Sequence, residues 1–281
     1  MKDTILLVGH GSRDAHGNQE IEQFAQNWRQ QHPDWCIDVC FIEFADVLLD
    51  EGFDKAAIDS QRVIVIPLIL NAAGHVKMEI PAHLQKARQR HPQVEFILAR
   101  HLGANETLLK LLKQSLSQVM ASLYMPDPKT TGVIVLGRGS SDKVANGELA
   151  KLARWLWEET DHELVDIAFT GITYPRLEQA VQRQVRLGMT QIAVLPYYLY
   201  TGTLINRIHQ QIECLRQQYP TLRIGLGQYL GFADEIYAML DDKVGYLTEN
   251  TSSQMLECDG CQYRQFAEEH GAGHHHEHDH T

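Results

Sequence analysis

Two histidines stand behind glycines at the ends of apolar runs: His10 in Val8-Gly9-His10-Gly11-Ser12-Arg13, and His75 in Gly74-His75, a few residues beyond the run Val63 to Leu70. Neutral imidazole, with an ordinary pKa of about 6.5, accepts protons near neutrality and ligates divalent transition metals. A pair of imidazoles leaves coordination positions open for other ligands. Singly, each has a plainer reading, His10 as a loop hydrogen-bonder and His75 as the first residue of a helix. Glu43 closes another apolar run, where a carboxylate binds a cation, moves a proton or simply meets solvent. Glu79 stands one helical turn beyond His75 on the same face and reads first as a solvated residue.

These residues need elements to carry them. Apolar runs of four to eight residues alternate with longer stretches of helical period, the pattern of βαβ units on a parallel sheet. Strands are expected at 5–8, 36–43, 63–70 and 94–99, and helices at 18–31, around 53–58, from the loop 71–75 to about 89, and at 106–124. In such a sheet, ligands bind beyond the carboxyl ends of the strands. His10 follows the first strand and His75 the third, so both belong to that edge, and Glu43 ends the second strand there.

The order of elements then starts again. After the proline-containing linker 125–131, Ile5 to Asp14 (ILLVGHGSRD) aligns with Val133 to Asp142 (VIVLGRGSSD) at a shift of 128 residues. The same shift pairs Phe41 with Phe169 and Leu102-Gly103 with Leu230-Gly231, while Pro67 and Pro196 are displaced by 129. A shift held over a hundred residues marks an internal duplication. We therefore expect an α/β protein of two similar lobes, 1–125 and 131–247, each a four-stranded parallel sheet flanked by helices, with a polar tail at 248–281. The cleft between the lobes is the default ligand site. In the second copy Arg138 replaces His10, Gly171 replaces Glu43, and Thr203 or Leu204 stands opposite His75. The glycines are kept and the imidazoles are not, which assigns the frame to the fold and the chemistry to the first lobe.

Composition narrows the class. A net charge of -11 over 281 residues argues against a binder that tracks nucleic-acid phosphates. The first residues lack the apolar stretch and cleavage site of a secretory leader, and no run approaches the roughly 18 apolar residues of a membrane span, so a cytoplasmic protein is expected. The five cysteines, an odd number, suit reduced thiols or a metal site better than a disulfide framework. Cys258 and Cys261 have metal-ligand spacing but supply only half of a tetrahedral site. They read as a redox pair, half of a zinc site, or half of an iron-sulfur centre shared between subunits. His270, His274, His275, His276, His278 and His280, interrupted by acids, read as a metal-collecting tail rather than a purification tag. Monomer and homodimer both remain open.

Gly9-His10-Gly11-Ser12-Arg13, Glu43, and Pro67-Leu68-Ile69-Leu70 leading to Gly74-His75-Val76-Lys77-Met78-Glu79-Ile80-Pro81 resemble the class II tetrapyrrole chelatases, in the long duplicated form of the sirohydrochlorin cobaltochelatases. The likeness covers nearly the whole chain, with Glu79 standing where aspartate is common. It implies flavodoxin-like lobes and ATP-independent insertion of Co²⁺ into sirohydrochlorin for cobalamin biosynthesis. His10 and His75 would then be the catalytic and metal-holding pair, with Glu43 assisting. It also tilts Cys258 and Cys261 toward a [4Fe-4S] cluster. Insertion displaces two pyrrole protons while the ion sheds water, so a ligand that also accepts protons suits the task. The carboxylate-rich substrate calls for basic groups, and Arg13, Lys77, Arg138 and Arg207 are the candidates by position. Because imidazole does not choose among Co²⁺, Fe²⁺ and Ni²⁺, a ferrochelatase of siroheme biosynthesis is the nearest rival. A metal carrier or chaperone is the rival of another class, and deletion of 250–281 would separate it from a chelatase.

Overall fold

The computed structural model describes residues 2–71 and 73–249. Cys258, Cys261 and the histidines from His270 to His280 lie outside the described residues. Among the described residues, no helix is long and apolar enough to cross a membrane.

The first lobe's sheet is built from β1 (Lys2–Gly9), β2 (Cys36–Phe41), β3 (Ser60–Pro67) and β4 (Glu95–Leu98), all parallel, in the order β2-β1-β3-β4. The second repeats it with β5 (Thr131–Gly137), β6 (Val165–Phe169), β7 (Gln191–Pro196) and β8 (Arg223–Leu226), in the order β6-β5-β7-β8. In both, the strand order reverses between the first and third strands. Such a switch point opens a crevice at their carboxyl ends, and His10 follows the end of β1.

Side chains along each strand alternate between two faces. Leu6, Val8, Val63 and Val65 face outward onto α2 (Leu49–Ala57) and α3 (Ile80–Arg90). Ile134, Leu136, Ile192 and Val194 pack in the same way with α6 (Leu177–Arg186) and α7 (Thr203–Gln218). The other face of each sheet joins one shared core, where Ile5, Leu7, Val133 and Val135 meet α1 (Ala15–Gln31), α4 (Glu106–Ser122), α5 (Lys143–Glu158) and α8 (Asp234–Glu249). Helices therefore form a layer sandwiched between the two sheets.

Within that layer the last helix of each repeat crosses over. Helix α4 packs against β7 and β8 of the second lobe, and α8 packs against α1 of the first. There Phe24 stacks on Tyr237 at 4.2 Å between ring centroids, and the Trp28 indole N–H donates to Asp241 at 2.8 Å. Trp28 is fully buried, so its replacement by alanine is expected to cost about 3–5 kcal/mol. The crossover fixes one lobe against the other, and the cleft between them is held open by the core itself. Glu20 adds a clasp, accepting from the Thr201 amide at 2.9 Å and the Tyr229 hydroxyl at 2.7 Å.

Some boundaries differ from the sequence reading for local reasons. Helix α1 begins at Ala15 rather than 18, because the Asp14 carboxylate caps it by accepting from the His16 amide. The strand expected to reach Glu43 ends at Phe41, yet Ile42 and Glu43 still donate to the carbonyls of Gly9 and His10. The expected helix after residue 75 opens as a π-helical turn, His75–Glu79, before α3. That wider winding takes Glu79 off the position one α-turn above His75.

Candidate active site

Each lobe builds its cleft wall from the same polar frame. In the first, the Ser12 amide donates to Asn18 Oδ1 at 2.9 Å, the Asn18 side chain donates back to the Ser12 carbonyl, and Ser12 Oγ accepts from the Asp14 amide. In the second, Ser140, Asn146 and Asp142 repeat those three bonds. Gly11 and Gly139 both have left-handed backbones, with φ of 91° and 85°, and the chain after the second strand runs directly over them. The glycines therefore serve the backbone in both halves, as the repeat implied.

The loops differ in what they present. His10 lies between two charged groups: its Nδ1 is 3.4 Å from Glu43 Oε1, and its Nε2 is 3.2 Å from Arg138 Nη1. A guanidinium only donates, so Nε2 is the acceptor and the ring proton sits on Nδ1, facing the carboxylate. A carboxylate behind one ring nitrogen fixes the tautomer and raises the basicity of the other. Arg138 is the repeat counterpart of His10, so two equivalent positions of the repeats meet in the cleft. The His10 side chain is 16 % exposed, enough to reach a ligand.

The cleft between the lobes has a volume of about 700 Å³ and is lined by His10, Glu43, Glu79 and residues of both glycine loops. His75 opens the π-helical turn on its first-lobe side; its side chain lies outside the described atoms. Among the described residues, no group of three or more His, Cys, Asp or Glu side chains is arranged to hold a metal.

Of the cations expected to meet substrate carboxylates, Arg13, Arg138 and Arg207 line the cleft. Arg13 lies over the Phe44 ring, 4.9 Å from its centroid. Lys77 instead reaches across the lobes to Asp142, with Nζ 2.6 Å from Oδ2 and side-chain exposures of 14 % and 6 %. Burial raises the Asp142 carboxyl, but the bond and charge of Lys77, with the amides of Val144 and Ala145, outweigh it and hold the group below its ordinary value. A depressed folded-state pKa stabilises above the ordinary carboxylate pKa, about 3.9, and that contribution is lost as pH falls through the lower folded value. Lys77→Met is accordingly expected to destabilise by about 1.5–3 kcal/mol at neutral pH. The deficit should fade in acid, and urea denaturation across the acid range measures it.

The second-lobe wall is less legible in sequence. Tyr197, Tyr198, Leu199 and Tyr200 follow β7 and line the cleft. Burial pushes the Tyr198 and Tyr200 hydroxyls up to about 12, against the pull of Arg138, so both stay neutral. Tyr198 shares a 2.8 Å hydrogen bond with Thr170. The result is an apolar wall with neutral hydroxyls opposite the His10 and Glu43 wall, with arginines from both lobes lining the same cleft. Such a space suits a flat, conjugated molecule bearing carboxylates. The tyrosine run itself, YYLY directly after an apolar strand, was the available sequence signal.

The sequence model of the CbiX family matches residues 4–119 and, a second time, 132–246. The chain is 37% identical over 264 residues to the sirohydrochlorin cobaltochelatase of Priestia megaterium, covering 93% of this chain and 84% of that protein. It is 29% identical over 257 residues to the sirohydrochlorin ferrochelatase of the same organism, covering 90% of this chain and 93% of the relative. Among solved structures, SirB from Bacillus subtilis with Fe3+ matches with a TM-score of 0.77 at 25% identity, over 90% of this chain and 98% of that one.

Proposed function

Since the chain belongs to the CbiX family, we propose that it is a sirohydrochlorin chelatase that inserts Co²⁺ with His10, His75 and Glu43. The observation that carries this reading is the His10 imidazole, oriented by Glu43 at Nδ1 so that Nε2 faces the interlobe cleft.

In this reading the macrocycle lies in the cleft with its carboxylates drawn to Arg13, Arg138 and Arg207. The divalent ion is a substrate. It replaces two pyrrole protons, so the charge of the macrocycle core is unchanged and two protons must leave. His10 Nε2 holds the incoming ion or takes a proton, with Glu43 stabilising the ring when it is charged. His75 would supply the second imidazole. Arg138 masks Nε2 in the resting site, and the attraction of a substrate carboxylate would draw it off. The resemblance to the class II chelatases implies that insertion proceeds without ATP.

Cobalt is favoured by the higher identity to the cobaltochelatase than to the ferrochelatase. The likeness to the ferrochelatase supports iron as the second reading. Initial rates with Co²⁺, Fe²⁺ and Ni²⁺, measured anaerobically at equal concentrations, decide between them. Co²⁺ is expected to be fastest; a faster Fe²⁺ reaction would overturn the metal assignment and leave the chelatase reading standing.

A further inference from the structure

One pair of residues in the cleft has no role in the chemistry above. Phe44 follows Glu43, and Ile172 follows Gly171 at the equivalent place in the second repeat. Both have left-handed backbones, with φ of 52° and 62°. An aromatic or β-branched residue is strained in that region, where glycine or asparagine would sit at lower cost. Both are large and apolar, yet they are 46 % and 59 % exposed, and both line the interlobe cleft. Neither exposure nor backbone conformation favours these side chains, and the same departure occurs twice, once in each lobe.

The surrounding structure holds each of them in place. Asn18, already part of the Ser12 frame, donates its second bond to the Phe44 carbonyl at 2.7 Å, and Arg13 lies over the Phe44 ring. Around Ile172 the Thr173 amide closes a tight turn onto the Gly171 carbonyl at 2.6 Å. Strain of this kind, enforced by neighbours and aimed into a cleft, is typical of ligand clamps. These loops also carry the residues that pair with the cleft's centre: the Glu43 amide donates to the His10 carbonyl, and the Gly171 amide to the Arg138 carbonyl.

We infer that Phe44 and Ile172 are paired apolar lips, one from each repeat, that grip the faces of the tetrapyrrole macrocycle and position it over His10. This rests on the chelatase reading and adds the residues that hold the ring, as distinct from those that hold its carboxylates. A conjugated macrocycle offers broad apolar faces, and covering two half-exposed apolar side chains with them removes their surface from water. The lips are positioning residues: they act on affinity and register and leave metal coordination to His10.

The test is binding of metal-free sirohydrochlorin to the full-length protein, with no divalent metal present, followed by the absorbance of the tetrapyrrole. Phe44→Gly and Ile172→Gly remove the side chain and relieve the backbone together. Each is expected to keep or raise Tm while weakening Kd about tenfold, the order expected for losing one apolar side chain's contact. KM should rise in step, with kcat changed much less. Phe44→Ile and Ile172→Phe should retain binding, and Tyr174→Ala, an exposed neighbour that does not line the cleft, should bind as wild type. Glycine variants with unchanged Kd would overturn the lips alone, and a lowered Tm with unchanged Kd would assign both residues to folding. A wild-type protein that does not bind sirohydrochlorin overturns the chelatase reading and the lips with it.

Discussion

His10→Ala is expected to abolish protein-dependent metal insertion, with a loss of at least about 10²–10⁴-fold, the range for removing a positioned acid-base group. The imidazole has a carboxylate behind one nitrogen and the cleft-lining Arg138 before the other, and among the described side chains at this point none other combines a neutral nitrogen ligand with a carboxylate partner. Glu43 can attract a cation but offers carboxylate oxygens and no imidazole nitrogen, and Arg138 only donates. The fold should survive. Removing the ring leaves the Glu43 carboxylate and the Arg138 guanidinium facing the same space, so the charges still compensate each other. Tm is therefore expected within a few degrees of wild type, and absorbance assays under anaerobic conditions should show sirohydrochlorin persisting. His10→Gln, which keeps hydrogen-bonding atoms but cannot take up a proton, should be nearly as inactive. Near-normal turnover in both variants would remove His10 from the mechanism. His75→Ala is expected to match them.

Gly11→Ala is expected to be the most damaging single methyl in the first lobe. The added Cβ would overlap the Glu43 carbonyl oxygen, and φ of 91° is strained for any side chain. Neighbouring backbone, unlike a side-chain tip, cannot swing aside, so a loss of about 3 kcal/mol or more is anticipated. Relief of the clash moves the segment that holds Glu43 and Phe44, so activity should fall further than stability explains. Gly139→Ala gives the contrast. Its Cβ would meet the Gly171 carbonyl at φ of 85°, but the loop it displaces carries glycine where the first lobe has Glu43. Chemical denaturation should show comparable destabilisation in the two variants. Insertion assayed where both remain folded should fall in both, because each displaced loop carries one apolar lip, and further in Gly11→Ala, which also displaces Glu43; equal residual activities would mean that the placement of Glu43 does not matter.

Much of this arrangement could be read from the residues. The shift of 128 predicted two sheets of one topology, and it set Arg138 opposite His10 and Gly171 opposite Glu43. Asn18 and Asn146 were not legible: the alternating apolar pattern gives no hint that these amides hold the loops. Docking of the halves was not legible. Helix α4 belongs to the first repeat in sequence but packs on the second lobe's sheet, because amphipathic periodicity gives an apolar face without naming its partner. The contact of Arg138 with His10 depends on the same docking: a repeat shift pairs the residues but does not say that they touch. The π-helical turn at His75 was equally hidden, since a helical period over five residues does not separate the two windings. Lys77, a candidate for substrate by its sign, proved to bridge the lobes through a carboxylate that also caps α5.

The central claim is that the cleft around His10 inserts metal into sirohydrochlorin. Its most direct test is the absorption spectrum of sirohydrochlorin and Co²⁺ followed anaerobically, without ATP, in the presence and absence of the full-length protein. A protein-dependent conversion to the cobalt-bound spectrum is expected, scaling with protein concentration and lost in His10→Ala. A conversion no faster with the wild-type protein than without it would mean that the cleft does not insert metal.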